Sequence, residues 1–127
     1  MDIVAAEDCT VMFLNGKTLL NTCDNSCTFH HTLIRNLLGI VAQKNMYLNQ
    51  KIKYTSRKTT REKLMAYLTD QAKLKRSNDF TIPFNRQELA DYLGVERSAM
   101  SAELGKLTKL GILRTQRSHF TLLKPLD

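Results

Sequence analysis

Residues 85–104, Asn85-Arg86-Gln87-Glu88-Leu89-Ala90-Asp91-Tyr92-Leu93-Gly94-Val95-Glu96-Arg97-Ser98-Ala99-Met100-Ser101-Ala102-Glu103-Leu104, constrain this chain more than any other segment. Asn85 is a good N-cap and Glu88 stands three residues on, a capping box with Asn in place of Ser or Thr. Leu89, Ala90 and Leu93 then form the buried face of a short helix. Gly94 supplies the positive φ that ends this helix in a tight turn, and Val95 plugs the angle between two helices. Met100, Leu104 and Leu107 give the second helix its core face. The segment reads as a helix-turn-helix. Ala90 is small at the crossing, and Arg97, Ser98, Ser101 and Ala102 fall on the outer N-terminal face of the second helix.

Downstream, Gly111 closes the second helix. Ile112-Leu113-Arg114-Thr115 and His119-Phe120-Thr121-Leu122 alternate as two strands around Gln116-Arg117-Ser118, which makes the motif a winged helix. Nineteen Lys and Arg against twelve Asp and Glu leave a net charge of +7, concentrated in residues 51–61, 73–76 and 106–124. A polyanion such as DNA or RNA is the partner this favours, bound through the second half of the chain. The outer face of the second helix is the part expected to enter a major groove, with Arg97, Ser98, Ser101 and Ala102 at base edges. Arg114, Arg117 and His119 would meet phosphates from the wing and Lys106 and Lys109 from the far end of the helix, with Asn85, Arg86 and Gln87 doing so at the start of the first helix.

Upstream, residues 28–56 hold no Pro and one Gly, and Ile34, Leu38, Val41, Leu48 and Ile52 recur in steps of four and three, with Asn45 at the missing step. This is a heptad seam of about three heptads, and a polar Asn at one core position often sets register and two-strandedness. A parallel homodimer helix is the functional reading; an amphipathic helix packed on its own domain is the plainer one. Residues 55–60 break the pattern at a hinge, where Thr59 or Thr60 caps a helix running through Leu64, Leu68 and Ala72. A polar loop at residues 75–79 and an extended segment at 80–84 follow, Pro83 forbidding helix there. Residues 2–23 read as strand pieces: Val11-Met12-Phe13-Leu14, a hairpin turn at Asn15-Gly16, then Thr18-Leu19-Leu20.

The stretch from residue 85 to 113 resembles the helix-turn-helix of CRP/FNR transcription regulators. The likeness is carried by Arg86-Gln87-Glu88-Leu89-Ala90, Leu93-Gly94-Val95, Arg97-Ser98 and Leu110-Gly111-Ile112. Phe29-His30, Leu33-Ile34, Asn36-Leu37-Leu38 and Leu48-Asn49-Gln50-Lys51-Ile52 are similar to that family's dimer helix, and residues 2–23 to the last strands of its effector-binding β-roll. The resemblance implies a mainly α protein with small β: remnant strands at 1–27, a dimerisation helix at 28–56 and a winged helix-turn-helix DNA-binding domain at 57–127. It further implies a bacterial, cytoplasmic regulator that binds double-stranded DNA as a homodimer at half-sites about one helical turn apart. The loop at residues 73–79 would face RNA polymerase. Most of the β-roll is missing, so the chain is expected to be a fragment or a naturally short form, and effector sensing does not carry over. Arg97 matches the family. Ser98 and Ala102 stand where many members have long polar or basic residues, so a different or looser operator preference is expected.

Cys23, Cys27, His30 and His31 crowd into nine residues and invite a metal or haem site, but they lack paired zinc spacing and the four ligands of an iron–sulfur cluster. No metal, no cofactor and reduced thiols are expected. Glu88, Asp91, Glu96 and Glu103 read as caps and solvated faces rather than a convergent acid–base pair, and no nucleophile elbow or phosphate loop occurs, so catalysis is not expected. No apolar run approaches a membrane span. The nearer alternative is a winged helix for protein interaction or RNA binding without operator specificity.

Overall fold

A computed structural model describes residues 4–20 and 27–124. The chain divides into two compact units, residues 1–44 and 45–127. In the first unit a short helix α1 (Gly16–Leu20) stands where a strand was expected. Asn15 accepts the Lys17 N–H at 3.0 Å through its side-chain oxygen. Asn-Gly serves here as a helix start rather than a hairpin turn, and residues 8–15 carry no strand. An isolated hairpin is marginal in water, and these described residues offer it no third strand. The rest of the expected strand pieces, residues 2–3 and 21–23, lie outside the described residues.

Helix α2 (Thr28–Thr55) matches the expected span to within a residue. Along it Leu38, Val41, Leu48 and Ile52 are 54–63% exposed, while Ile34 is half-buried. Asn45, the polar step of the seam, accepts a hydrogen bond from the Asn49 side-chain amide at 2.6 Å within the helix.

The second unit owes its order to caps that are local in sequence. The α2–α3 turn ends at Thr59, whose hydroxyl accepts the Glu62 N–H at 3.1 Å while the Glu62 carboxylate accepts the Thr59 N–H at 3.4 Å, opening α3 (Thr60–Lys75). Strand β1 (Asp79–Thr81) leads to Asn85, which forms the same reciprocal box with Glu88 (2.9 and 2.7 Å) and starts α4 (Arg86–Leu93). After Gly94 comes α5 (Arg97–Lys109), then the hairpin β2 (Leu113–Gln116) and β3 (His119–Leu122). The sheet is antiparallel in the order β1-β3-β2, so the expected two-stranded wing gains a third strand from the segment before α4. One core joins these elements. Leu64 and Leu68 of α3, Leu89, Ala90 and Leu93 of α4, Met100, Leu104 and Leu107 of α5, and Leu113 and Phe120 of the sheet are all buried, with Val95 packed against them.

Gly94 ends α4 at φ +61°, donating its N–H to the carbonyls of Ala90 and Asp91. A Cβ here would meet only the Thr55 Cγ2 at 3.8 Å, an ordinary contact, so the demand for glycine comes from the backbone angle rather than from space. Gly94→Ala is therefore expected to lower stability by about 1–2 kcal/mol with the fold retained, read as a shifted urea midpoint at unchanged slope.

The C-terminal part of α2 enters this unit through aromatic rings. Tyr54 is buried edge-on to Tyr67 at 5.5 Å, and Tyr92 lies 5.7 Å from both Tyr47 and Tyr67 and 5.0 Å from Phe84. The Tyr54 hydroxyl donates to Asp70 at 3.1 Å, and Lys53 pairs with the same carboxylate. Burial raises the phenols of Tyr54, Tyr67 and Tyr92, Tyr67 to about 12, with the hydrogen bond and charge of Asp70 adding to the effect at Tyr54 and the neighbouring Tyr47 ring adding at Tyr92. Because the folded value lies above the unfolded one near 10, this stabilisation is complete below about pH 10 and is lost as pH rises through the folded value. Tyrosinate absorbance is expected to show Tyr67 still protonated at about pH 11 in the folded protein, with stability falling between about pH 10 and 12.

Candidate nucleic-acid interface

Helix α5 presents Arg97, Ser98, Ser101 and Ala102 as exposed side chains, because Met100, Leu104 and Leu107 turn the opposite face into the core. Arg97, at the first position of the helix, makes no hydrogen bond or ion pair among the described residues. The N-cap Glu96 makes no side-chain cap bond, which leaves first-turn amides of α5 open to water or an anion.

The wing tip is a two-residue turn, Arg117-Ser118, between paired Gln116 and His119. Arg117 adopts φ +53° and is exposed. Ser118 anchors the turn: its hydroxyl donates to the Phe84 carbonyl at 2.9 Å, and its own carbonyl accepts the Ile82 N–H at 3.0 Å. The tip is thus fastened to the segment entering α4, and Asn85, Arg86, Gln87, Arg97, Arg117 and Ser118 line one concavity between α4, α5 and the wing. Arg97 and Arg117 bring two exposed guanidinium groups to its rim.

The expected phosphate-contacting residues divide into two groups. Lys109, Arg114 and Arg117 are exposed and have no partner among the described residues. The others are engaged within the chain. Asn85 is spent on its cap, and the Gln87 amide donates to Asp91 at 2.9 Å. Arg86 donates to the Thr115 hydroxyl at 2.6 Å and lies 5.0 Å over the Phe120 ring, with its Nη1 buried and without a partner. Burial holds this guanidinium below its usual range. His119 reaches Asp79 Oδ1 at 2.7 Å and the Thr81 hydroxyl at 3.1 Å, and Thr121 donates to the same Asp79 oxygen at 2.8 Å. Thr121 and then His119 hold the Asp79 carboxyl below the usual carboxylate range. Lys106 lies 2.7 Å from Glu103, which Arg61 of α3 also meets at 3.1 Å. These engagements span 29 to 42 residues for Arg86, Arg61 and His119, and no local signal announces them.

A second concavity, beside the loop at residues 73–79, sets Lys73, Arg76, Ser77, Asn78 and Lys124 around Met65, Ala72 and Leu122. Among the described residues no three His, Cys, Asp or Glu side chains converge to hold a metal, and Cys9 and Cys27 are free thiols; Cys23 lies outside them. No described helix is long and apolar enough to cross a membrane.

A three-helix core with a three-stranded antiparallel wing and an exposed, partner-free face on the second helix of the turn defines a winged helix-turn-helix protein. The family described as the Crp-like helix-turn-helix domain matches residues 62–126. The chain belongs to this family and carries the helix-turn-helix domain of a CRP/FNR-type regulator. Among solved structures it is similar to the reduced, Fe(II) form of a CO-sensing protein from R. rubrum, at 18% identity and a TM-score of 0.38, over 76% of this chain and 47% of that one. It thus spans about half the length of that protein. No curated protein matches the chain.

Proposed function

We propose that this chain binds a two-fold symmetric DNA operator as a homodimer and regulates transcription from it. The observation that carries the reading is the outer face of α5, where Arg97 stands exposed and, among the described residues, unpaired beside Ser98, Ser101 and Ala102, next to the concavity it shares with Arg117. Arg97 is the principal base-reading residue and the two serines add weaker contacts. Lys109, Arg114 and Arg117 take phosphates, with Asn85, Arg86 and Gln87 shaping the wall against which the strand lies. The exposed Leu38, Val41, Leu48 and Ile52 of α2, together with Ile34 and Asn45, form the dimer seam, since apolar side chains at heptad spacing are covered by a second helix. The concavity around Lys73, Arg76 and Lys124 is the surface offered to RNA polymerase.

The test is fluorescence anisotropy on a randomised duplex pool at two salt concentrations, with enrichment and sequencing of the bound fraction and sedimentation of the free protein. An enriched palindrome, a steep salt slope and a dimer are the expected results. Salt-sensitive binding without enrichment would remove operator specificity from the reading, and salt-insensitive behaviour would favour a protein-interaction role.

A further inference from the structure

Glu103 is an acidic side chain on the helix proposed to enter the groove, and its carboxylate is fully used by two cations. Lys106 Nζ lies 2.7 Å from one oxygen and Arg61 Nε 3.1 Å from the other. The side chain of Glu103 is 19% exposed, whereas those of Arg61 and Lys106 are 45% and 63% exposed. Lys106 first and Arg61 second hold the carboxyl below the usual carboxylate range, so it is charged at neutral pH. The cluster lies in a concavity lined by Thr59, Thr60, Arg61, Ala99, Ala102, Glu103 and Lys106, between the start of α3 and the same α5 flank that bears Ala102.

Resting on the DNA-binding reading above, we infer that Glu103 withholds Arg61 and Lys106 from the phosphate backbone and thereby restrains non-specific DNA affinity. A phosphate reaching either cation must compete with a carboxylate already in contact with it, and the two positive charges are offset locally by one negative charge on the same protein face. Sequence-independent affinity scales with the number of phosphates neutralised, so two fewer available cations weaken it. Base reading by Arg97, six positions away on α5, does not draw on this cluster. Glu103 is accordingly a positioning residue that raises the ratio of specific to non-specific binding.

The decisive measurement is the salt dependence of binding to a random-sequence duplex by the full chain and by Glu103→Gln, which keeps the side chain's size and removes its charge. The variant is expected to steepen the slope of log K against log salt by about 0.9 to 1.8, one to two additional phosphate contacts. Its affinity relative to the parent chain should then grow about 3- to 12-fold on going from 200 to 50 mM salt. In the Glu103→Gln background, Lys106→Gln is expected to take back about 0.9 of that slope, whereas Lys106→Gln alone should leave the parent slope nearly unchanged. The single lysine variant is surface-exposed and keeps the test usable if Glu103→Gln loosens the α3–α5 contact. An unchanged or shallower slope in Glu103→Gln, or a loss of about 0.9 in Lys106→Gln alone, would overturn the inference. In either case a parent chain that still binds leaves the DNA-binding reading standing. A parent chain that binds no duplex at all would remove both.

Discussion

Phe120→Ala is expected to cost about 3–5 kcal/mol of stability, the largest effect of any single side chain in the wing. Phe120 is the middle strand's central contact: its backbone faces Phe80 on β1 and Thr115 on β2, and its ring is fully buried. The ring lies stacked 6.4 Å from Phe80 and carries the Arg86 guanidinium 5.0 Å above it. Truncation would remove the burial of the ring, leave a cavity the three paired strands cannot close, and strip the apolar support from a half-buried cation whose Nη1 already lacks a partner. A unit of this size loses about 4–8 °C of melting temperature per kcal/mol, so a drop of about 12 °C or more is expected in a thermal melt followed by circular dichroism. A drop below about 4 °C would mean that the strands collapse onto the space without cost.

Arg97→Ala is expected to leave stability nearly unchanged and to cost about 1–3 kcal/mol, roughly 5- to 150-fold, in binding to the enriched operator. The side chain is exposed, makes no hydrogen bond or ion pair among the described residues, and sits at the first position of α5. A planar guanidinium pairs with two acceptors on one guanine edge, so its loss should relax preference at a single base-pair position in each half-site. Binding to random duplex should weaken far less, because the phosphate contacts proposed for Lys109, Arg114 and Arg117 remain. Equal weakening on operator and random DNA would identify Arg97 as a phosphate contact instead.

Features legible in the sequence are those whose partners stand within a turn. The Thr59–Glu62 and Asn85–Glu88 boxes each close over three residues, Gly94 answers a backbone angle its own position demands, and the wing hairpin stands where expected, except that Gln116, read as part of the connecting loop, ends β2 paired with His119 and leaves a two-residue turn. Helix positions predicted as core, Leu89, Ala90, Leu93, Met100, Leu104 and Leu107, are buried, as are Leu64 and Leu68 of the helix expected to run through them. Two adjacent local signals misled, the apolar run Val11–Leu14, which carries no strand, and Asn15-Gly16. The same Asn side chain that favours a hairpin turn also caps a helix, and without a neighbouring strand the cap prevails.

The candidate interface was legible as a set of cations and small polar residues, but their availability was not. Sequence spacing places Arg86, Lys106 and His119 beside Arg97 and Arg117 as equals; the structure gives Arg86 to Thr115 and Phe120, Lys106 to Glu103, and His119 to Asp79. Nor does any local pattern bring together Tyr47, Tyr54, Tyr67, Phe84 and Tyr92, which come from α2, α3, α4 and the segment before α4.

By itself the sequence determined where the helices from α2 onward start and stop, which of their faces are apolar in the helix-turn-helix, and that the second helix of the turn carries a basic, polar outer face. These follow from hydrogen bonds and side-chain periods that act over three or four residues. Only the tertiary structure decided which charges remain free among the described residues, that β1 joins the wing, and that the C-terminal part of α2, through Tyr47 and Tyr54, packs its rings into the domain. Pairings across 16 to 42 residues depend on which surfaces the core has already brought within reach, and that is a property of packing rather than of neighbouring residues in the chain.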